Sequence, residues 1–190
     1  MLKITSGVYR GRIIQSLPGT ETRPTTERLR QAWLNCLQMG LHDSRVLDLF
    51  SGSGALGLEA LSRGAAFVVF VESNPKAAAL IQQNIKTLGV QDQAKIIIKK
   101  VESALTELSK EPPFDFLFMD PPYHQGFEEK ILQTWPLAEL LSENGKICVE
   151  SARQKDTSKV GGYSAPPAFK IIRDERYGDS QLTFYAKEIL

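Results

Sequence analysis

Five short apolar runs, each separated from the next by an amphipathic stretch long enough for a helix, constrain this chain more than any other feature. They are Val46–Leu49, Phe67–Val71, Lys95–Lys99, Phe114–Met119 and Lys146–Glu150. Each is compact and rich in Val, Ile, Leu or Phe, as strands buried on both faces tend to be. The stretches between them predict helices over Leu56–Arg63, Pro75–Leu88, Ser103–Lys110 and Phe127–Leu141. Pro75 suits a first helical turn, where no N–H is needed, and Pro136 predicts a break or kink in the last helix. Alternation of this kind gives a parallel sheet covered by helices.

Past Ser151, a loop rich in Gly and Pro from Val160 to Ala168 leads to two more strand-like runs, Phe169–Arg176 and Gln181–Lys187. Tyr177-Gly178-Asp179-Ser180 between them reads as the turn of an antiparallel hairpin at the sheet edge. The expected architecture is a mostly parallel seven-stranded sheet with one reversed strand. Ahead of it, Ile4–Leu17 predicts a small hairpin around Ser6-Gly7 and Arg10-Gly11. Thr25–Gly40 predicts a helix capped by Thr25 or Thr26, apolar along Leu29, Trp33, Leu34 and Leu37, and stopped by Gly40. The chain of 190 residues thus divides into an N-terminal extension, residues 1–40, and an α/β domain, residues 41–190.

The net charge of +1 hides an uneven distribution. Residues 1–30 hold six basic side chains against two acidic ones, and the remainder holds 17 basic against 20 acidic. A basic N-terminal segment on a mildly acidic body points to a polyanion as partner. No apolar run is long enough to span a membrane, and Lys3 is followed by polar, Gly-containing sequence where a signal peptide would be apolar. The expectation is a cytoplasmic protein. Cys36 and Cys148 sit within apolar patterns without metal-ligand spacing, so buried, reduced thiols and no metal site are expected.

Asp48-Leu49-Phe50-Ser51-Gly52-Ser53-Gly54 follows the first strand and opens a helix. Glycines let a ligand approach the backbone, and the helix start offers free N–H groups. Gly52, Gly54 and Gly57 satisfy G-x-G-x-x-G, so a nicotinamide dinucleotide remains a candidate ligand. Asp48 argues for S-adenosyl-L-methionine, because a carboxylate beside the loop repels a pyrophosphate and attracts an ammonium. Glu72, ending the second strand, could accept both ribose hydroxyls of either ligand. Val101 and Glu102, after the third strand, are candidates for adenine contacts, although Glu102 equally suits a helix N-terminus as a dipole-complementing acid.

Asp120-Pro121-Pro122-Tyr123 leaves the fourth strand at the same sheet edge. An exocyclic base amine is a poor nucleophile because its lone pair is delocalised into the ring. The Asp120 carboxylate and the Pro121 carbonyl, accepting its two N–H groups, would favour a pyramidal nitrogen aimed at a methyl donor. Pro121 and Pro122 stiffen the turn and leave carbonyls free, and Tyr123 offers a flat face for a base drawn out of its stack. His124 is adjacent, but in-line transfer to an amine needs no strong base.

Taken together, these residues resemble the RsmD-type methyltransferases, which act on a guanine N2 of bacterial 16S ribosomal RNA. The resemblance rests on Gly7 to Arg12, on Arg23-Pro24-Thr25-Thr26-Glu27-Arg28-Leu29-Arg30, on the glycine loop with Leu58-Glu59-Ala60 behind it, on Phe70-Val71-Glu72, and on Asp120 to Tyr123. It implies a class I, Rossmann-like methyltransferase fold carrying a reversed edge-hairpin strand, preceded by a small RNA-facing extension. It also implies that Asp48, Gly52 and Glu72 hold the cofactor, with Phe50, Ser51 and Gly54 of the same loop as further candidates, and that Asp120, Pro121, Pro122 and Tyr123 receive the amine. Arg10, Arg12, Arg23, Arg28 and Arg30 would face RNA or close the pocket. The implied partner is small-subunit ribosomal RNA, free or within an assembling 30S particle, met by a monomer. Lys99-Lys100-Val101-Glu102 does not clearly match the family pattern.

Three other readings remain in view. An adenine-N6 DNA methyltransferase would share the Asp-Pro-Pro-Tyr chemistry, but the chain is short for an added sequence-reading domain. A non-catalytic RNA-binding module would leave Asp48, Glu72 and Asp120 without a purpose. A dinucleotide oxidoreductase would leave Asp-Pro-Pro-Tyr unexplained.

Overall fold

The computed structural model describes residues 2–17, 24–123, 125–153 and 164–188, with the side chains of residues 24–26 outside that set. The chain begins with a two-stranded antiparallel ribbon, β1 (Leu2–Lys3) against β2 (Ile13–Ile14), closed through turns at Gly7 and Gly11, both at positive φ. Helix α1 (Pro24–Cys36) and the single turn α2 (Gln38–Leu41) follow. The expected single helix therefore starts before the proposed Thr caps and divides at Leu37. Gly40 lies inside α2 and is not a stop; a Cβ there would meet the Phe116 ring at 3.0 Å, so packing explains the glycine.

The core alternates strand and helix. In order come β3 (Arg45–Leu49), α3 (Ala55–Ser62), β4 (Phe67–Val71), α4 (Pro75–Leu88), β5 (Ala94–Ile97), α5 (Val101–Leu108) and β6 (Phe114–Met119). Then come α6 (Phe127–Thr134), α7 (Leu137–Leu140), β7 (Leu141–Ala152), β8 (Phe169–Tyr177) and β9 (Ser180–Lys187). Asn74 caps α4 by accepting the Lys76 N–H, Pro75 takes the first turn, and Gly89 at φ 73° closes it. Pro136 splits the last predicted helix in two, because it can neither donate to nor fit within a continuing helix. The strand expected at Lys146–Glu150 is longer, reaching back to Leu141 through an irregularity between the Phe114 and Phe116 pairings.

The seven-stranded sheet has the order β5-β4-β3-β6-β7-β9-β8. Pairings from β5 through β7 are parallel, and β9 is antiparallel to both β7 and β8. The hairpin expected at the edge is there, with its reversed strand as the inner member. Alternate residues feed two cores. Val46, Phe70, Phe116, Phe118 and Cys148 face α1, α3 and α4, together with Leu2, Ile4 and Ile14. Leu47, Val69, Leu117, Met119 and Val149 face α5, α6 and α7. The N-terminal extension thus shares the core of one sheet face. Cys148 is buried, whereas Cys36 is only half-buried; both are free thiols.

The chain winds from β3 outward to β5, then returns to start β6 on the other side of β3. That reversal opens a crevice beyond the carboxyl ends of β3 and β6, where open α/β sheets bind ligands.

Candidate functional site

The loop leaving β3 is held by its own polar groups. The Ser51 hydroxyl donates to the Asp48 carbonyl at 2.7 Å, and the Ser51 N–H donates to the Val71 carbonyl at 3.1 Å. Phe50 adopts φ 59° and Gly52 φ 55°, so the backbone doubles back at the strand end. Gly52 needs its glycine for that conformation, since a Cβ would meet nothing nearer than the Phe50 carbonyl at 4.0 Å. Gly57 needs its own for space: a Cβ would lie 2.4 Å from the Phe70 ring and 2.9 Å from Asp48 Oδ2.

That close approach lets the Gly57 N–H donate to Asp48 Oδ2 at 3.1 Å. Asp48 is buried, and burial raises its carboxyl to about 7 against the pull of the Gly57 hydrogen bond, with nearby Glu72 adding to the rise. Glu72 bridges the crevice wall, accepting the Gly52 N–H at 2.8 Å on Oε2 and the Asn74 N–H at 2.7 Å on Oε1. Each oxygen keeps acceptor capacity beyond those bonds.

Two cavities meet at this edge. One, of about 280 Å³, is bounded by Asp48, Gly52, Asp120 and Glu150 on the sheet side and by Arg30 and Trp33 of α1 on the other. The second, of about 460 Å³, is bounded by Glu72, Val101, Glu102, Pro122 and Phe127. Phe50 and Asp120 line both. The Phe50 and Phe127 rings, 5.2 Å apart, form part of the wall. Val101 is buried at the start of α5, and Glu102 occupies the first turn of that helix, within 3.9 Å of Lys130. Glu102 thus sits both as a helix-start acid and as a cavity wall.

Asp120, just past β6, and Glu150, near the end of the neighbouring parallel β7, stand on the same sheet face. Phe118 pairs with Cys148, and both carboxyls stand two residues further along. Asp120 is open to the cavity yet hemmed in by protein, and that desolvation, with the negative charge of Glu150, Asp48 and Glu128, pushes its carboxyl well above the usual range. The Glu150 carboxyl is raised as well, by burial, against the hydrogen bonds it receives. The Tyr123 hydroxyl donates to Glu150 Oε1 at 2.6 Å and meets Ser180 Oγ at 2.8 Å. Ser180 Oγ donates to the same Glu150 oxygen at 3.0 Å. Pro121 is buried, and Pro122 and the Tyr123 ring are exposed.

The arginines fall into two sets. Arg10, Arg12 and Arg28 are exposed. Arg30 is 7% exposed, its Nε 3.6 Å from Glu59 Oε2 and its Nη2 donating to the Lys3 carbonyl at 2.7 Å. Arg30, expected to face RNA or close the pocket, is a buried strut on the cavity wall. Arg23 and His124 lie outside the described residues.

Two carboxylates that carry much of this arrangement, Glu150 and Glu59, were absent from the sequence-predicted site. Glu150 had a legible signal, since its distance past the core of β7 matches that of Asp120 past the core of β6. Glu59 had none, because its donors come from Thr5, Ser6 and Arg30, far away in sequence.

The family model described as "Conserved hypothetical protein 95" matches residues 2–186. The ribosomal RNA small subunit methyltransferase D of Escherichia coli (strain K12) is 31% identical over 188 residues, 98% of this chain and 90% of that protein. Its Haemophilus influenzae namesake is 35% identical over 155 residues, 81% of this chain and 80% of the relative. Among solved structures, the one named "Putative methyltransferase yhhF from Escherichia coli" has a TM-score of 0.82 at 30% identity, covering 100% of this chain and 99% of that one. The sheet order and these likenesses give the fold as the class I, Rossmann-like methyltransferase fold.

Proposed function

The chain belongs to the Conserved hypothetical protein 95 family, and from that premise we propose that it transfers a methyl group from S-adenosylmethionine to the exocyclic N2 amine of a guanine in small-subunit ribosomal RNA. Relatives that match over most of the chain carry the name small subunit methyltransferase D. The single observation that carries the reading is Asp120, which opens onto the same two cavities as the residues proposed to hold the cofactor, Asp48 and Gly52 in one and Glu72 in the other.

The chemistry of the donor set fits S-adenosylmethionine. Asp48, buried and raised to about 7, is a carboxyl awaiting a cation, and an amino-acid ammonium supplies one. Glu72 has acceptor capacity for ribose hydroxyls, and Val101 and Glu102 line the cavity where an adenine ring would follow. The Gly52 and Gly54 backbone and the Phe50 and Ser51 turn complete the cradle. S-adenosylmethionine, when bound, supplies a methyl group already activated by its sulfonium.

The remaining work belongs to this chain. Asp120 and the Pro121 carbonyl accept the two amine N–H groups, which draws the nitrogen lone pair out of conjugation and aims it. Pro121 and Pro122 hold that turn rigid. Tyr123 offers its exposed ring to the base. Arg10, Arg12 and Arg28 meet phosphates on the basic extension, residues 1–40, with Arg23 on the same segment. The partner is ribosomal RNA, free or in an assembling 30S particle, met in the cytoplasm by a monomer that needs no metal.

Calorimetric titration of S-adenosylmethionine into the wild type and Asp120→Ala tests this division of roles. Both proteins should bind within about threefold of each other, while methyl transfer in Asp120→Ala falls by about a hundredfold or more, the size of a lost transition-state acceptor. Loss of cofactor binding in Asp120→Ala equal to its loss of turnover would overturn the assignment.

A further inference from the structure

Glu150 stands where the amine-binding turn and the sheet meet. Its Oε1 accepts from Tyr123 and from Ser180, and it lines the same cavity as Asp120, the group proposed to receive the amine, each standing two residues past the Phe118–Cys148 pair. With both carboxyls on one cavity wall, the negative charge of Glu150 favours the protonated form of Asp120. The surrounding charges come from every side: Asp48 on β3, Glu128 on α6, Arg30 on α1, and the Tyr123 hydroxyl from the turn. Four carboxyls against one guanidinium make this a poor place to hold every negative charge, and a good place to hold a proton.

We propose that Glu150 is a positioning residue for methyl transfer, fixing the Tyr123 ring through one oxygen and, through its negative charge on the same cavity wall as Asp120, helping Asp120 to receive the proton that the amine releases. The inference rests on the function proposed above. The bond balance is simple: the N–C bond forms, sulfur keeps the pair of the broken S–C bond, and the nitrogen then carries one proton too many. Asp120 receives that proton, the negative charge of Glu150 on the same wall favours its uptake, and water removes it before the next turnover. Tyr123 and Ser180 stabilise the ionised form of Glu150 by donating to it, which keeps the pair able to accept.

The test is the pH dependence of single-turnover methyl transfer from labelled S-adenosylmethionine to small-subunit particles. In Glu150→Gln, a neutral side chain replaces a carboxyl beside Asp120, so the acid limb should move down by on the order of one pH unit. An acid limb of Glu150→Gln that overlays the wild type would overturn the proposal. If Glu150→Gln does not fold, Tyr123→Phe decides the matter in the opposite sense: removing the donor to Glu150 should move the limb up, and an unmoved limb overturns the proposal. Wild-type protein that transfers no label to RNA would instead sink the function itself, so the two failures read differently.

Discussion

Asp48 is placed to make cofactor affinity depend on pH. Its carboxyl titrates at about 7 because burial penalises the charge, and a bound ammonium would favour the ionised form. Affinity for S-adenosylmethionine should therefore rise between roughly pH 6 and pH 8 and then level off. Calorimetry across that range should show the slope in the wild type and a flat, weaker response in Asp48→Asn. The sign for stability is the reverse. A carboxyl raised above its unfolded value leaves the native state holding more protons, so this group's contribution declines as pH rises from about 4 to about 7. Urea midpoints of the ligand-free protein should gain more from Asp48→Asn at pH 8 than at pH 5. Asp48 and Asp120 were both legible in the sequence, because each ends an unmistakable apolar run. The partnership of Tyr123 with Glu150 was not, since a hydroxyl on a stacking ring reads as incidental until β7 and β9 deliver Glu150 and Ser180 to it.

Among the elements, α3 carries more than a glycine loop's helix. Glu59 is fully buried there, accepts the Thr5 and Ser6 N–H groups, and lies within 3.6 Å of Arg30 and 3.5 Å of Arg63. Glu59→Ala would leave two buried guanidinium groups uncompensated, so urea denaturation should record a loss of roughly 3–5 kcal/mol. A loss below about 1 kcal/mol would mean that water replaces the carboxylate. Asn84 of α4 adds a second clasp, bonding Gln15 in both directions and the Ser53 carbonyl of the glycine loop at 3.2 Å. Strand positions were legible from apolar runs to within a few residues. Boundaries set by tertiary packing were not: α1 divides at Leu37, and β7 reaches back to Leu141, where packing and pairing override local pattern.

For the molecule as a whole, the basic extension is anchored into one face of the sheet while presenting Arg10 and Arg12 outward. A double Arg10→Ala, Arg12→Ala variant should keep its cofactor affinity and bind small-subunit RNA more weakly. The slope of log affinity against log salt should flatten by roughly 0.7 per lost phosphate contact. An unchanged slope would move the RNA surface elsewhere. Among the described residues no helix is long and apolar enough to cross a membrane, and no group of three metal-ligating side chains is found. The chemistry of Asp120 to Tyr123 does not distinguish guanine from adenine, or RNA from DNA; that choice rests on the family and the charged extension. Nucleoside mass analysis after incubating the protein with S-adenosylmethionine, unmodified small-subunit RNA and DNA separates the possibilities directly. N2-methylguanosine in the RNA, absent with Asp120→Ala, is the expected product, and N6-methyladenine in the DNA with unmodified RNA would contradict it.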